Sequence, residues 1–247
     1  MRNIWTIAKR EYDNYFNSPL AYVVAFAITL FLGVLFALIM YIAAEQSLFG
    51  GPAPTNEQIT WWLVFLLFLA TPALTMRLLS DEARMGTLEL LLTAPVRDYE
   101  LVVGKWLGSF LTVLSLLLIT LIYPIILNNF ISPGLDLKAL LASYIGVVLV
   151  ASALLALGTG ISSIFSNQFA AFFATVGLIF FFWIFVPAFG NFAKDSSDIF
   201  TYLGLGSHFF DSMNRGTINL GDIAYYLSLT ALGLFVGTTS IEIRRWR

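Results

Sequence analysis

Residues 20–44 read LAYVVAFAITLFLGVLFALIMYIAA, about 25 consecutive positions without a charged side chain or a proline. Water offers such a run no exposed face, and a helix of this length rises past the roughly 30 Å of a bilayer's hydrocarbon layer. It exceeds the apolar core of a secretory signal, and no small-residue cleavage pattern follows it, so the expectation is a retained membrane span rather than a leader. The apolar residues are continuous rather than alternating, which excludes a barrel strand.

Five further runs share this character: residues 60–76, 106–127, 139–164, 169–189 and 223–241. Together they account for a composition that is 59% hydrophobic and only 11% charged, with a mean hydropathy of +0.85. A water-soluble domain carries about 25% charged residues. The fold expected is an all-α integral membrane protein of six transmembrane helices, a single membrane domain over residues 1–247. Pro72, Pro124 and Pro187 fall inside spans, where neighbouring helices can satisfy the carbonyls they free. Orientation follows the basic residues. With the N-terminus inside, Arg2, Lys9, Arg10, Arg77, Arg84, Arg97, Lys105, Arg244, Arg245 and Arg247 are cytoplasmic, ten of the thirteen, against Lys138, Lys194 and Arg215 outside. Both termini are therefore placed in the cytoplasm, in the cell (inner) membrane.

Residues 3–17 pattern as an amphipathic helix. Ile4, Trp5, Ala8, Tyr12, Tyr15 and Phe16 share one arc, with Lys9, Arg10, Asp13, Asn14 and Asn17 opposite, and Ser18-Pro19 ends it. Such a helix before a span is expected to lie on the membrane surface; packing on a partner is compatible with that. The segment from Gly190 to Gly221 is too apolar for a free loop and too short for two spans. It is expected to form one or two half-inserted helices capping the outer leaflet.

The chain lacks the groups that most chemistry needs. It has no cysteine and one histidine, His208, which reads as a polar interfacial residue near Asp211 rather than an acid–base catalyst. Gly104-Lys105 resembles the end of a phosphate-binding loop, but Tyr99 replaces the first glycine and Trp106 the final hydroxyl residue. A net charge of −2 gives no cue for nucleic acid. The six apolar cores contain no Asp, Glu, Lys, Arg or His, whereas ion-coupled carriers keep such groups at membrane depth.

Residues 75–108 stand apart: TMRLLSDEARMGTLELLLTAPVRDYELVVGKWLG, with nine charges of both signs. Within it Thr87–Thr93 patterns as a short helix with Leu88, Leu91 and Leu92 on one face and Glu89 opposite, stopped by Pro95. Docking into a partner and lying on the inner leaflet both fit this helix.

Here the sequence resembles permeases of the ABC-2 type, in the branch that includes the gliding-motility and nitrous-oxide-reductase-maturation permeases. The resemblance covers the whole length. It rests on Lys9-Arg10-Glu11, Ser18-Pro19, Pro72-Ala73-Leu74-Thr75-Met76-Arg77, Glu82, Gly86-Thr87-Leu88-Glu89-Leu90-Leu91, Thr93-Ala94-Pro95-Val96 and Gly104-Lys105. It implies a dimer, with a second copy or a paralogue, bound to two separate ATP-binding subunits that hold ATP and Mg; this chain holds no cofactor. It also implies that Thr87–Val96 is the coupling helix that docks those subunits, with Glu82, Gly86, Thr87, Leu88, Glu89, Leu91, Leu92 and Pro95 at the contact. Residues 3–17 become the elbow helix, with Trp5, Lys9, Arg10, Tyr12 and Phe16. An ion-coupled transporter and a non-transporting scaffold are the rival readings. Small residues spaced by four, Ser152, Ala156 and Gly160, and also Gly104 and Gly108, predict close helix contacts, preferentially inside the bundle. The aromatic-rich fifth span suits lipid and packing contacts, or equally a substrate or partner surface.

Overall fold

The structure, a computed structural model, describes residues 2–51, 53–87, 96–131, 134–192 and 197–246. Among these, every regular element is helical. Helix α1 (Arg2–Asn17) leads into α2 (Pro19–Ser47), α3 (Asn56–Thr75) and the short α4 (Ser80–Met85). Then come α5 (Asp98–Thr120), α6 (Ile122–Phe130) and α7 (Leu137–Ile164). The remaining elements are α8 (Gln168–Phe180), α9 (Val186–Phe192), α10 (Ser197–Leu203), α11 (Ser207–Phe210) and α12 (Leu220–Arg245). Six helical stretches are long and apolar enough to cross a membrane, and they coincide with the six sequence runs. The protein is an all-α integral membrane protein.

The third span starts earlier than its apolar core suggests. Residues 98–105 are already helical, and Glu100 accepts the Arg97 backbone N–H at 3.1 Å at the helix start.

Helix α7 is the axis of the bundle, buried along most of its length against α3, α5, α8 and α12. Its Ser152-Ala156-Gly160 row faces α12, where a Cβ on Gly160 would lie 2.6 Å from the Gly233 carbonyl oxygen. Only missing side chains allow two backbones this close, so the row serves a contact inside the bundle. Ser152 Oγ and Thr230 Oγ1 add a hydrogen bond at 3.1 Å across the same seam. Helices α2 and α8 are the least buried. Phe169, Phe173, Phe181, Phe185 and Phe189 of the fifth span are exposed, as are Tyr22, Phe26, Val34 and Tyr41 of the first.

The span prolines act locally. Pro124 cannot bond the Thr120 carbonyl, which instead accepts the Tyr144 hydroxyl at 3.2 Å, and the helix divides there into α5 and α6. Ahead of Pro187 the fifth span widens into a π-helical turn, Phe181–Phe185, and the Phe182 carbonyl accepts the Leu205 N–H at 3.1 Å. That bond ties the span to the segment that follows. There α10 and α11 fold back onto the bundle, with Leu205, Phe209 and Met213 buried in the main core. A Cβ on Gly146 of α7 would lie 2.9 Å from the Phe209 ring. Residues 199–221 are therefore a packed cap over the end of the bundle opposite the termini.

Candidate functional site

Helix α1 lies across the first turns of α5, and two glycines permit it. A Cβ on Gly104 would sit 2.7 Å from the Ile7 Cβ, and one on Gly108 would sit 2.5 Å from the Glu11 Cβ. This approach delivers Glu11 to Lys105. The Lys105 Nζ lies 2.7 Å from Glu11 Oε1 and 2.8 Å from Glu82 Oε1, and its side chain is only 3% exposed. One buried ammonium thus joins α1, α4 and α5. An exposed ion pair adds little to a fold, but removing one member of a buried set strands the others without water.

Further bonds draw the same end together. Tyr15 donates to the Leu74 carbonyl at 2.6 Å, at the last turn of α3. Burial pushes its phenol well above the ordinary range, and the Glu11 carboxylate pushes the same way, so it stays a neutral donor. Tyr12 meets Ser115 Oγ at 3.0 Å, and Asn3 donates to Glu100 at 3.1 Å. Arg245 of α12 reaches Asp98 at 2.6 Å. Asp81 is held by Arg84 at 3.6 Å and by the Gln168 amide at the start of α8. The Ser162 hydroxyl of α7 accepts the Leu79 and Ser80 N–H groups at 3.1 and 3.2 Å. Glu11, Tyr15, Arg77, Glu82 and Lys105 line a cavity of about 230 Å³ there. The end of the bundle that carries both termini is therefore cross-linked by charge, and the segment between α4 and α5 begins and ends inside that cross-link.

Of the residues expected at a coupling contact, Glu82 is part of the Lys105 knot. Gly86 ends α4 in the left-handed conformation, φ 71°, which favours glycine. Thr87 Oγ1 donates to the Glu82 carbonyl at 3.4 Å. Leu88, Glu89, Leu91, Leu92 and Pro95 lie outside the described residues. On α1, Lys9 and Arg10 are exposed, and so are Trp5 and Phe16; the Tyr12 ring packs against Phe16 at 4.8 Å. Ala8 and Tyr15, expected on the same membrane-facing arc, are instead buried against α5 and α3. The apolar arc is split between the bundle and the outside, because the glycine surface of α5 accepts one half of it. The meeting of Glu11, Glu82 and Lys105 was not visible in the sequence, although each sits in a motif that carried the resemblance.

The sequence profile for ABC-2 family transporter proteins matches residues 5–203, from α1 to the end of α10. The chain belongs to the ABC-2 transporter family. This ABC-2 protein is a multi-pass membrane permease with a transport role. No curated protein matches it significantly.

The permease has a second buried polar network, in the cap. His208 is buried rather than interfacial, and its partner is Asp222, with Nδ1 2.6 Å from Oδ1; Asp211 faces Arg215 at 3.8 Å instead. Nε2 lies 2.7 Å from the Tyr202 carbonyl, which can only accept, so this nitrogen carries a proton. Ser212 and Asn219 donate to Asp222 Oδ2 at 2.5 and 3.2 Å, and the imidazole stacks on Tyr225 at 4.0 Å. Both ring nitrogens and both carboxylate oxygens are engaged, which suits fastening the cap to α12 better than moving protons to a substrate. Tyr225 and Tyr226 fasten it again, donating to the Leu203 and Leu205 carbonyls at 2.7 and 2.9 Å.

Proposed function

We propose that this permease is the membrane-spanning subunit of an ATP-driven exporter, a single permease domain over residues 1–247. It works as a dimer with two separate ATP-binding subunits, which bring ATP and Mg. Both termini face the cytoplasm of the cell (inner) membrane, in keeping with the ten-to-three distribution of basic residues. The cap, residues 199–221, then sits at the outer leaflet. The order Gly86-Thr87-Leu88-Glu89-Leu90-Leu91, Pro95-Val96, Gly104-Lys105 supports the gliding-motility and nitrous-oxide-reductase-maturation branch.

The observation that carries this reading is the knot of Lys105 with Glu11 and Glu82. A partner docked on Thr87–Val96 pushes a segment whose two flanks are clamped to each other and to the elbow helix. The push becomes a tilt of the second and third spans, a hinge or shear motion, instead of being absorbed in a loop.

Replacing Leu91 and Leu92 together by alanine tests the docking. Each leucine buried in a partner groove contributes about 1.5–3 kcal/mol. The double variant is expected to insert and fold, yet no longer co-purify with its ATPase or stimulate ATP turnover. Full association and coupled turnover would move the docking surface to residues 3–17.

A further inference from the structure

Where α7 and α12 end side by side, a groove of about 750 Å³ opens on the flank of the bundle. Ile164, Phe235, Val236 and Ile243 form its walls, with Ser166 and Arg244 at its mouth. The volume falls within the roughly 300–1,000 Å³ of ordinary ligand sites. Of the three hydroxyls that line it, two are already bonded within the protein: Thr239 donates to the Phe235 carbonyl at 2.9 Å and Ser240 to the Ser163 carbonyl at 3.1 Å. Its side walls are therefore mainly apolar, with Ser166 and Arg244 as the polar groups left to a ligand.

Arg244 donates one N–H to the Ile164 carbonyl at 2.8 Å, which holds the guanidinium across the mouth. Among the described residues no carboxylate lies within 4 Å of it, whereas Arg84, Arg215 and Arg245 each have one. The exposed Glu242 is about 200° away around the same helix. A guanidinium offers five N–H donors, so most of this one's capacity remains for a ligand.

We propose that the groove binds an anionic phospholipid, with an acyl chain along the α7–α12 wall and the phosphate on Arg244. An apolar channel that ends at a cation with no carboxylate within 4 Å among the described residues complements a molecule whose apolar chain ends at an anion. A zwitterionic lipid would bring its own cation to the same mouth. Basic pockets between membrane helices hold acidic headgroups in this way. Trp246, 84% exposed and two residues on at the end of the span, suits an indole anchor among headgroups. Selection by Arg244 holds whichever leaflet contains it and does not depend on ATP coupling.

The test is native mass spectrometry of the purified full chain with equal phosphatidylglycerol and phosphatidylcholine. One basic contact at a membrane surface corresponds to about a five-fold preference, so the native chain should retain phosphatidylglycerol by about that factor. Arg244→Gln should abolish the preference and Arg244→Lys should keep it. Val236→Trp, which fills the groove with the cation intact, should lower the total of bound lipid. Equal retention of the two lipids by the native chain, or an unchanged preference in Arg244→Gln, overturns the proposal. A change of oligomeric state in Val236→Trp with lipid unaltered also overturns it, in favour of a chain–chain contact.

Discussion

Lys105→Met removes the ammonium of the knot while filling most of the stem's volume. Glu11 and Glu82 are then left with carboxylate oxygens that were 2.7 and 2.8 Å from a cation and now face each other. Removing one partner of a buried pair costs about 3–5 kcal/mol. The two carboxylates retain 15% and 21% exposure, so water and protonation relieve part of the loss and the expected cost is about 3 kcal/mol. In a chain of this size about 1 kcal/mol moves Tm by 2–4 °C, which translates to a fall of about 6–12 °C in thermal unfolding of the detergent-purified chain. The companion variant combines Glu11→Gln, Lys105→Met and Glu82→Gln. It should recover most of that fall, because the cost arises from stranded charge rather than from lost contact. A fall below about 3 °C in the single variant, or a triple variant no more stable than the single, would refute the argument.

His208→Ala takes away the Nδ1 partner of buried Asp222 and the bond to the Tyr202 carbonyl, at a cost of about 1–3 kcal/mol. Hydrogen exchange should quicken across residues 205–215 while α7 stays protected; unchanged exchange in the cap would count against the fastening role. For orientation, Met85→Cys and Phe49→Cys place single thiols on exposed positions at opposite ends of the bundle in a chain without cysteine. An impermeant reagent applied from outside should label position 49 and not 85, and the reverse pattern would invert the topology.

The spans were legible because a membrane helix is specified by length and apolarity, both properties of a contiguous stretch. The small-residue row at Ser152, Ala156 and Gly160 was legible for the same reason: a spacing of four puts the residues on one face whatever lies opposite. What lay opposite was not legible. That Gly233 is the counterpart of Gly160 depends on how α7 and α12 dock, and no local pattern encodes it. The prolines show the same limit. Each announces a freed carbonyl, but Tyr144 and Leu205 as the groups that satisfy Thr120 and Phe182 come from distant parts of the chain. The partner of His208 was not legible either: Asp211, three residues away, faces Arg215, while Asp222 reaches the ring only because the cap folds back over the start of α12.

The Lys105 knot combines both situations. Lys9-Arg10-Glu11, Glu82 and Gly104-Lys105 each read as separate motif fragments, with no indication that they share a site. In the fold, the glycine before the lysine and the one four residues after it are what allow α1 to lie directly on α5. Without that approach the Glu11 carboxylate would stand in solvent and Lys105 would have one partner rather than two. Glycine at 104 and 108 and charge at 11, 82 and 105 are therefore one device. A Cβ at either glycine would press α1 away from the third span and separate Glu11 from Lys105 without touching a charged residue. Under the proposed coupling role, a push on the segment between α4 and α5 would reach α1 through the Lys105 contacts with Glu11 and Glu82.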